Sequence, residues 1–291
     1  MDETPLAARP LEVVIPVHNG AELLSDCLAS VIPQLGPGDR ITVVDDGSGD
    51  ASAEIAAQAG ARVLRTDTAQ GPYLARQSAA MSSQAFGLIF FDMRSRALPG
   101  WLETHRTLLS EPGVALSATD VRVLSGNSVA ERIAALQQPY RLAIYTDGQR
   151  DPYFPTCNLG VRTEAFTAVD GFTDVRSGGD ADLCWRIQRA GLGRLAARDE
   201  VLVLWQPRSS LRAAFEQAYR FGRGHRALMR ASGRALPAEP VRKAVRARRY
   251  GYLLGLLRSG TRVRDLALLG VLRAVFWIGV LRGPSGPGSA G

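Results

Sequence analysis

Acidic side chains stand where two buried strands are predicted to end. The apolar run Ile41–Val44 is followed by Asp45 and Asp46, and the run Gly87–Phe91 is followed by Asp92. In open α/β sheets, ligands bind beyond the carboxyl ends of parallel strands, where neighbouring side chains converge. Carboxylates at that edge can accept hydrogen bonds from a base or a ribose. For Asp45 and Asp46, the alternative is a local Asx turn followed by a helix N-cap.

The elements around these acids alternate between strand and helix patterns. Such a β-α-β-α-β order predicts an α/β fold with a doubly wound, mostly parallel, Rossmann-like sheet. The predicted elements are the strand Leu11–Val17, the helix Ala21–Pro33, the strand from Ile41, the helix Ala51–Ala59 and the strand Ala61–Arg65.

A further helix is predicted to begin at Gly71-Pro72, because proline suits the first helical position. Arg76 lies just over one turn into this helix, near its positive end, where it could bind a phosphate. The alternative for Arg76 is an ordinary surface arginine. Beyond Asp92, the residues Val114–Leu124 predict two short strands or a hairpin around Asp120, and Ser128–Tyr145 predicts a helix.

Charge is distributed unevenly along the 291 residues. From Val201 onward there are 17 Lys and Arg against 3 acids, whereas the first 200 residues carry 18 basic and 25 acidic residues. The first ten residues contain no apolar segment, which predicts no secretory signal. Cys27, Cys157 and Cys184 lack metal-site spacing and are interpreted as reduced cytosolic thiols, mostly packing residues.

The basic carboxyl-terminal part predicts helices and a second domain. We expect a division into residues 1–235 and 236–291, with a linker at Gly233–Pro240 and a low-complexity end. Arg258, Arg262 and Arg273 are predicted to cluster on one side of the helical pattern and to leave a broad apolar face. Such a tail fits attachment to the surface of an anionic membrane. Its longest apolar run is too short to span a bilayer. The alternative is a helical hairpin that packs on the first domain. No stacking aromatics interleave the arginines, so nucleic acid is not an expected partner.

Several motifs occur together, in order and at fitting intervals. They are Val14-Ile-Pro-Val-His-Asn19, Val43-Val-Asp-Asp-Gly-Ser48, Gly71 with Ala75-Arg76, Phe91-Asp92 before Pro99-Gly-Trp-Leu102, Cys157–Arg162, Gly171-Phe172 and Gly179–Arg186. This ordered set resembles the family 2 glycosyltransferases of the GT-A fold, over roughly residues 11–224. The resemblance implies transfer of a sugar, with inversion, from a nucleotide-diphosphate sugar donor.

The resemblance also assigns roles to residues. Asp46 resembles the residue that binds the nucleobase, with Asp45 and Pro16 shaping that pocket. The remaining expected donor-binding residues are Asn19, Gly71, Arg76, Asp92 and Arg94.

Asp180 matches the family's catalytic base, in front of the Trp-Arg helix. An inverting displacement needs one carboxylate to take the proton of the acceptor hydroxyl. The small residues Ser177-Gly178-Gly179 leave room for an acceptor, and the helix dipole would keep Asp180 ionised. The alternative role for Asp180 is an N-cap. The acceptor side is expected to include Asn158, Asp182 and Trp185.

Two positions depart from the family pattern. Asp92 resembles the first aspartate of the D-x-D motif, but Arg94 stands in place of the second, and Trp205 stands where many members have a metal-ligating histidine. Asp92 is then the single metal-ligand candidate, which is few for Mg²⁺ or Mn²⁺. Arg94 or Arg96 could neutralise the leaving diphosphate instead, because guanidinium pairs with two phosphate oxygens. A metal-independent reaction is therefore slightly favoured.

The sequence as a whole predicts a glycosyltransferase. We expect it to be cytoplasmic and peripheral on the inner face of the plasma membrane, with a sugar or a lipid-linked acceptor. The alternative is a catalytically silent GT-A domain that binds nucleotide or glycan as a scaffold.

Overall fold

The computed structural model describes residues 9–147, 151–175, 177–231 and 262–283. These residues form two units. Unit 1 comprises the chain up to Leu124 together with Gln138–Gln206, and unit 2 comprises Ser125–Gln137 together with the chain from Pro207 onward. The predicted boundary at residue 235 and the predicted linker lie outside the described residues, so that division stays a prediction.

Unit 1 contains one eight-stranded sheet with the order β3-β2-β1-β4-β7-β6-β8-β5. Four of the seven pairings are parallel, and the three antiparallel ones all involve β5 or β7. The strands are β1 Leu11–Val17, β2 Arg40–Asp46, β3 Arg62–Thr66, β4 Gly87–Phe91, β5 Ser95–Ala97, β6 Val114–Val123, β7 Asn158–Arg162 and β8 Arg194–Trp205.

The core of unit 1 lies on the central strands. Val13, Val14 and Ile15 of β1 are fully buried, as are Phe90 and Phe91 of β4. Strands covered on both faces need continuous apolar runs, which explains why these segments carry no alternation. Cys27, Cys157 and Cys184 are buried free thiols, in agreement with their predicted packing role.

Nine α-helices occur in the described residues. Those of unit 1 follow the strands of the sheet, and the other three, α5, α8 and α9, belong to unit 2. The nine helices are α1 Ala21–Val31, α2 Ser52–Gln58, α3 Pro72–Ala80, α4 Trp101–Ser110, α5 Val129–Gln137, α6 Thr163–Ala168, α7 Gly179–Arg189, α8 Leu211–Ala231 and α9 Val263–Leu281.

The prediction of two short strands at residues 114–124 is wrong. Val114–Val123 is one strand that pairs with β7 and β8, with register shifts around Asp120. Asp120 is tolerated there, 1% exposed, because its carboxylate accepts the Leu142 N–H at 2.7 Å and lies 2.7 Å from Arg141. A β-bulge with a paired carboxylate therefore replaces the expected turn.

The prediction of a helix over Ser128–Tyr145 is wrong in its second half. Helix α5 ends at Gln137, and Gln138 adopts a positive φ of 41° in front of Pro139. A residue before proline is disfavoured in the α region, which explains the break. Only a short 3₁₀ turn, Leu142–Ile144, follows.

Unit 2 is built from α5, α8 and α9. Ile133 of α5 and Leu269 and Leu272 of α9 form a buried cluster to which α8 contributes. Arg132 pairs with the buried Asp265 through two hydrogen bonds, at 3.0 and 3.3 Å. Within the described ranges, no helix has the length and apolarity that crossing a bilayer requires.

Helices α8 and α9 approach each other closely through glycines. A Cβ on Gly222 would overlap the Phe276 carbonyl oxygen, and a Cβ on Gly279 would overlap the Tyr219 carbonyl oxygen. Because the obstructing atoms belong to the backbone, the helices would have to move apart to admit any side chain. The crossing therefore depends on these two glycines.

We expect Gly222→Ala and Gly279→Ala each to destabilise unit 2 by about 1–3 kcal/mol, since both overpack a helix contact. Faster amide hydrogen exchange along α8 and α9 would report the loss. Gly270→Ala is the matched control, because a Cβ there meets nothing within 4 Å. That control should stabilise α9 by up to about 1 kcal/mol through helix propensity. Equal effects of all three substitutions would contradict the close crossing.

Candidate active site

Asp46 anchors the start of helix α3. Its carboxylate is 5% exposed and accepts the N–H groups of Gln70 and Gly71, each at 2.8 Å. Gly71 has φ 98°, a conformation that favours glycine, and it caps the helix that carries Arg76. The structure therefore joins two of the predicted donor-binding residues, Asp46 and Gly71, directly.

Asp45 and Asn19 hold the loops that follow β2 and β1. The Asp45 carboxylate accepts the Ser48 N–H at 2.9 Å and lies 3.3 Å from the Arg65 guanidinium. The Asn19 N–H donates to the Ser48 hydroxyl, and the Asn19 side chain accepts from Gly49. Asp45 therefore holds the turn after β2 through a bond three residues on rather than the two of an Asx turn, at the edge of the sheet where Asn19 also lies.

Pro16, the remaining residue expected near the nucleobase, is half-buried in β1. It is in register with Val44 of β2, two residues before Asp46.

Arg76 is not a surface residue. Its side chain is 3% exposed, and its guanidinium donates to the carbonyl oxygens of Pro72, Phe91 and Thr156 at 3.2–3.4 Å. Phe91 immediately precedes Asp92, so the arginine holds the end of strand β4. Burial lowers the pKa of Arg76, whereas attraction to Asp92 and Asp180 opposes that shift. Arg76 is thus a buried cation facing two of the predicted carboxylates.

Asp180 lies in the first turn of helix α7, which Gly178 caps with φ 87°. Burial raises the pKa of Asp180, while hydrogen bonds from the Ala181 N–H, the Thr156 backbone and the Tyr73 side chain, together with the charge of Arg76, oppose the rise. A carboxylate with a raised pKa is a stronger base than an ordinary aspartate. This arrangement is suited to accepting a proton.

Tyr73 was missed by the sequence reasoning. It is 8% exposed, packs 5.3 Å from Phe172, and its hydroxyl bonds to Asp180. Burial raises the pKa of Tyr73 and keeps it protonated. A signal existed, because Tyr73 and Arg76 are three residues apart and so share one face of α3.

Asp92 and Arg94 lie in the turn between β4 and β5. The Asp92 carboxylate accepts the Arg94 N–H at 2.9 Å, and the Arg94 guanidinium reaches the Gln206 carbonyl at 3.5 Å. Arg96, two residues further on, pairs with Asp26 at 3.2 Å. The structure therefore brings Arg94 and Asp92 together.

The donor set does not fit a divalent ion held by several protein ligands. In the part of the chain that the structure describes, no group of three or more His, Cys, Asp or Glu side chains could hold a metal ion. Trp205 is 4% exposed and packs edge-on against Tyr140, 4.9 Å between ring centroids. Asp92 remains the one candidate ligand from the predicted set.

Asp182 and Trp185, expected on the acceptor side, both stabilise loops in the structure. Asp182 accepts from Arg186 at 2.9 Å, and Arg186 donates to the carbonyl oxygens of Val169 and Gly171. The Trp185 indole donates to the Asp151 carbonyl at 2.9 Å. Both residues lie on α7, the helix that begins with Asp180.

Asn158 lies in the interior. It is 0% exposed, accepts from Trp101 at 2.7 Å and from His105 at 2.9 Å, and donates to Thr119. Burial lowers the pKa of His105 to about 4, so the imidazole is neutral at physiological pH. Its Nε2 carries the proton given to Asn158, and its Nδ1 accepts from the Ser117 hydroxyl. The structure therefore does not support an acceptor contact for Asn158, because its amide is shielded and fully bonded.

Comparison with known proteins places this fold. The profile described as "Glycosyl transferase family 2" matches residues 12–169, more than half of the chain. The chain belongs to glycosyl transferase family 2. The match includes Asp46, Arg76 and Asp92, whereas Asp180 lies beyond it.

Two curated relatives resemble this family 2 chain. The pre-mycofactocin glycosyltransferase of Mycobacterium tuberculosis is 32% identical over 218 residues, which are 70% of the chain and 44% of the relative. The glycosyltransferase AglE of Haloferax volcanii is 29% identical over 224 residues, which are 74% of the chain and 72% of the relative. The chain thus spans less than half the length of the first relative.

Solved glycosyltransferases share the fold of this family 2 chain, in agreement with the predicted GT-A type. The mannosyltransferase PcManGT of Pyrobaculum calidifontis, in complex with GDP-Man and Mn²⁺, has a TM-score of 0.59 at 14% identity, covering 94% of the chain and 76% of PcManGT. Glucosyl-3-phosphoglycerate synthase of Mycobacterium tuberculosis, in complex with Mn²⁺, UDP and glucosyl-3-phosphoglycerate, has a TM-score of 0.59 at 20% identity, covering 80% of the chain and 82% of the synthase.

We expect Asp180→Asn to raise the thermal stability of this family 2 chain at neutral pH. A raised pKa means that the folded state disfavours the charged form, so the ionised carboxylate costs stability above that pKa. Differential scanning calorimetry between pH 4 and pH 8 measures the change. The gain should shrink as the pH falls, because the wild-type carboxyl then becomes neutral.

Asp182→Asn is the matched control, two residues along the same helix. It removes an ion pair with Arg186 between partly exposed side chains, so it should lower stability by up to about 1 kcal/mol. If Asp180→Asn instead lowered the thermal stability at neutral pH, as Asp182→Asn should, the ionised Asp180 carboxylate would not be destabilising in the folded state.

Proposed function

We propose that the chain transfers a sugar, with inversion, from a nucleotide-diphosphate sugar to an acceptor hydroxyl. The observation that carries this proposal is the position of Asp180, a buried carboxylate of raised pKa in the first turn of α7, where it binds the Tyr73 side chain and is attracted by the charge of Arg76. Family membership and the nucleotides bound by the similar solved glycosyltransferases support a nucleotide-sugar donor.

The reaction is a single displacement at the anomeric carbon. The acceptor oxygen forms a bond to that carbon while the bond to the diphosphate oxygen breaks, and the nucleoside diphosphate leaves with the electron pair. Asp180 takes the proton of the acceptor hydroxyl. The hydrogen bond from Tyr73 and the charge of Arg76 oppose the rise in the pKa of Asp180 that burial causes, and so favour the ionised form that accepts the proton.

The leaving diphosphate gains negative charge, which a positive group must oppose. Arg94 is proposed for this role, because its backbone N–H binds Asp92 and its guanidinium is permanently charged. Asp92 is the residue that would hold Mg²⁺ or Mn²⁺, which stabilises a leaving diphosphate when bound. Since the donor set fits such an ion poorly, a metal-independent reaction is the favoured form of the proposal.

Asp46, with Asp45 and Pro16, is proposed to form the nucleobase end of the donor site, and Asn19 and Gly71 are proposed to belong to the same donor site. The hydrogen bonds that Asp46 accepts from the N–H groups of Gln70 and Gly71 fix the loop that would surround a base. Asp182 and Trp185 are proposed to shape the acceptor side through the loops they hold.

The acceptor is proposed to be lipid-linked, with the chain peripheral on the cytoplasmic face of the plasma membrane. Eleven arginines against three acids among the described residues of unit 2 support an anionic surface as partner. A catalytically silent scaffold that binds nucleotide or glycan is the second candidate. It is favoured by one observation, the arginine at position 94 beside Asp92, and activity measurements decide between the two.

Asp180→Asn should retain donor binding and reduce transfer by about 10²-fold or more, because asparagine cannot take a proton. Isothermal titration with nucleotide sugars measures binding, and release of the nucleoside diphosphate measures turnover. In the wild type, kcat/KM should fall as the pH drops through the raised pKa of Asp180. An Asp180→Asn variant with wild-type turnover would reject the base, and a wild type with no turnover on any donor would favour the scaffold.

Arg94→Ala should weaken both donor binding and turnover, by about tenfold or more for loss of a charge-assisted phosphate contact. Transfer by the wild type should continue in EDTA. Arg94→Asp, which restores a second carboxylate, should recover turnover only when Mn²⁺ is added.

Arg96→Ala is the matched control, because Arg96 lies two residues from Arg94 in the sequence and forms an ion pair with Asp26. It should leave the affinity for the donor near the wild-type value. Loss of wild-type transfer in EDTA, with recovery in Mn²⁺, would show that the metal-free form of the proposal is wrong.

A further inference from the structure

Helix α9 exposes a continuous apolar face. Its exposed apolar residues recur every three or four positions, so they line one side of a helix 19 residues, or about 28 Å, long. We call this face the α9 stripe. It consists of Val263, Ala267, Gly270, Val271, Ala274, Trp277, Ile278 and Leu281.

The exposed fractions are large for apolar side chains. Val263 is 74% exposed, Leu281 73%, Val271 47%, Ile278 44% and Trp277 43%. A contiguous patch of this kind on a folded protein marks a surface that meets an apolar partner.

The opposite face of α9 already has its packing partners. Leu269 and Leu272 are buried with residues of α5 and α8, and Gly279 lies against the α8 backbone. The carboxyl end of α9 is capped by Arg226, whose guanidinium donates to the Val280 and Leu281 carbonyl oxygens. Helix packing in unit 2 therefore accounts for one face of α9 and leaves the stripe unexplained.

Arginines border the stripe on both sides. At 3.6 residues per turn, Arg264 and Arg282 fall on one edge and Arg273 falls on the other. The one acid on α9, Asp265, is 2% exposed and lies 3.0 Å from Arg132 and 3.7 Å from Arg264. The outward side of the helix thus combines apolar side chains with positive charge and presents no carboxylate.

This arrangement also corrects the position expected for the apolar face. Arg273 lies at the edge of α9, Arg262 precedes the helix in an extended conformation, and Arg258 lies outside the described residues. The described arginines therefore bracket the apolar surface, whereas the sequence predicted a cluster opposite it.

We propose that α9 lies along the surface of an anionic lipid bilayer, with the stripe in the acyl boundary and Arg264, Arg273 and Arg282 at the lipid phosphates. An interfacial helix buries its apolar face by about 5–10 Å and keeps its long basic side chains in the headgroup layer. A bilayer supplies the apolar and the anionic component in one partner, which matches the charge at both edges. The inference concerns unit 2 alone and stands whether or not unit 1 transfers sugar.

Trp277 provides the test. The chain has four tryptophans, and Trp101, Trp185 and Trp205 are 0%, 2% and 4% exposed, whereas Trp277 is 43% exposed. Intrinsic fluorescence of the full chain is measured with vesicles of phosphatidylcholine and phosphatidylglycerol at low salt, and quenching is measured with brominated acyl chains. The expected result is a blue shift and quenching with anionic vesicles, and a much smaller effect with pure phosphatidylcholine.

Ile278→Glu should weaken vesicle binding at least about tenfold, because it places a charge on a side chain that the bilayer would otherwise bury. Phe221→Glu is the control, since Phe221 is 41% exposed on α8, outside the stripe, and should bind nearly as the wild type does. Circular dichroism checks that both variants keep their helices. Turnover of the donor in the absence of vesicles separates failure of docking from failure of the proposed transfer.

Three results would overturn the proposal. One is vesicle sedimentation without quenching of Trp277, which would assign binding to other basic residues of the chain. Another is an equal loss of binding in Phe221→Glu. The third is a dimer, seen by light scattering without lipid, that Ile278→Glu dissociates, because the stripe would then be the interface with a second copy.

Discussion

The buried guanidinium of Arg76 is the interaction on which the site depends. It joins three backbone segments through hydrogen bonds to Pro72, Phe91 and Thr156. Pro72 precedes Tyr73, Phe91 precedes Asp92, and the Thr156 backbone binds Asp180. Burying an arginine this deeply is costly, and attraction to Asp92 and Asp180 offsets part of that cost. The cation therefore favours the placement of acids from separate parts of the chain at one end of the sheet.

Much of this arrangement could be predicted from the sequence. The strands Leu11–Val17 and Gly87–Phe91 were expected with the bounds that they have, because buried parallel strands require uninterrupted apolar runs. Acids directly after such runs fall at the carboxyl edge of the sheet by geometry alone. The convergence of Asp46 with Gly71 follows from that rule.

Other features depend on contacts that a local pattern cannot show. Asp120 looked like a turn residue, yet it lies within a strand because Arg141 and the Leu142 N–H neutralise its cost of burial. Arg76 looked exposed because arginine usually is, and the oxygens that bind it are backbone atoms, which carry no sequence signal. Tyr73 could have been found from its helical spacing to Arg76. The solvent-facing side of α9 required knowledge of which face α8 covers.

The interior amide of Asn158 also fixes how the strands align. Its four hydrogen bonds, to Trp101, to His105 and two to Thr119, are made only when Asn158 stands opposite Phe91. A slip of β7 by one residue would turn the amide to the other face of the sheet and leave these groups without partners. Asn158 therefore acts as a register lock. By holding β7 against β4, Asn158 sets the distance between the Thr156 carbonyl oxygen and the Arg76 guanidinium. A shielded side chain thus fixes the position of a charged group that it does not contact.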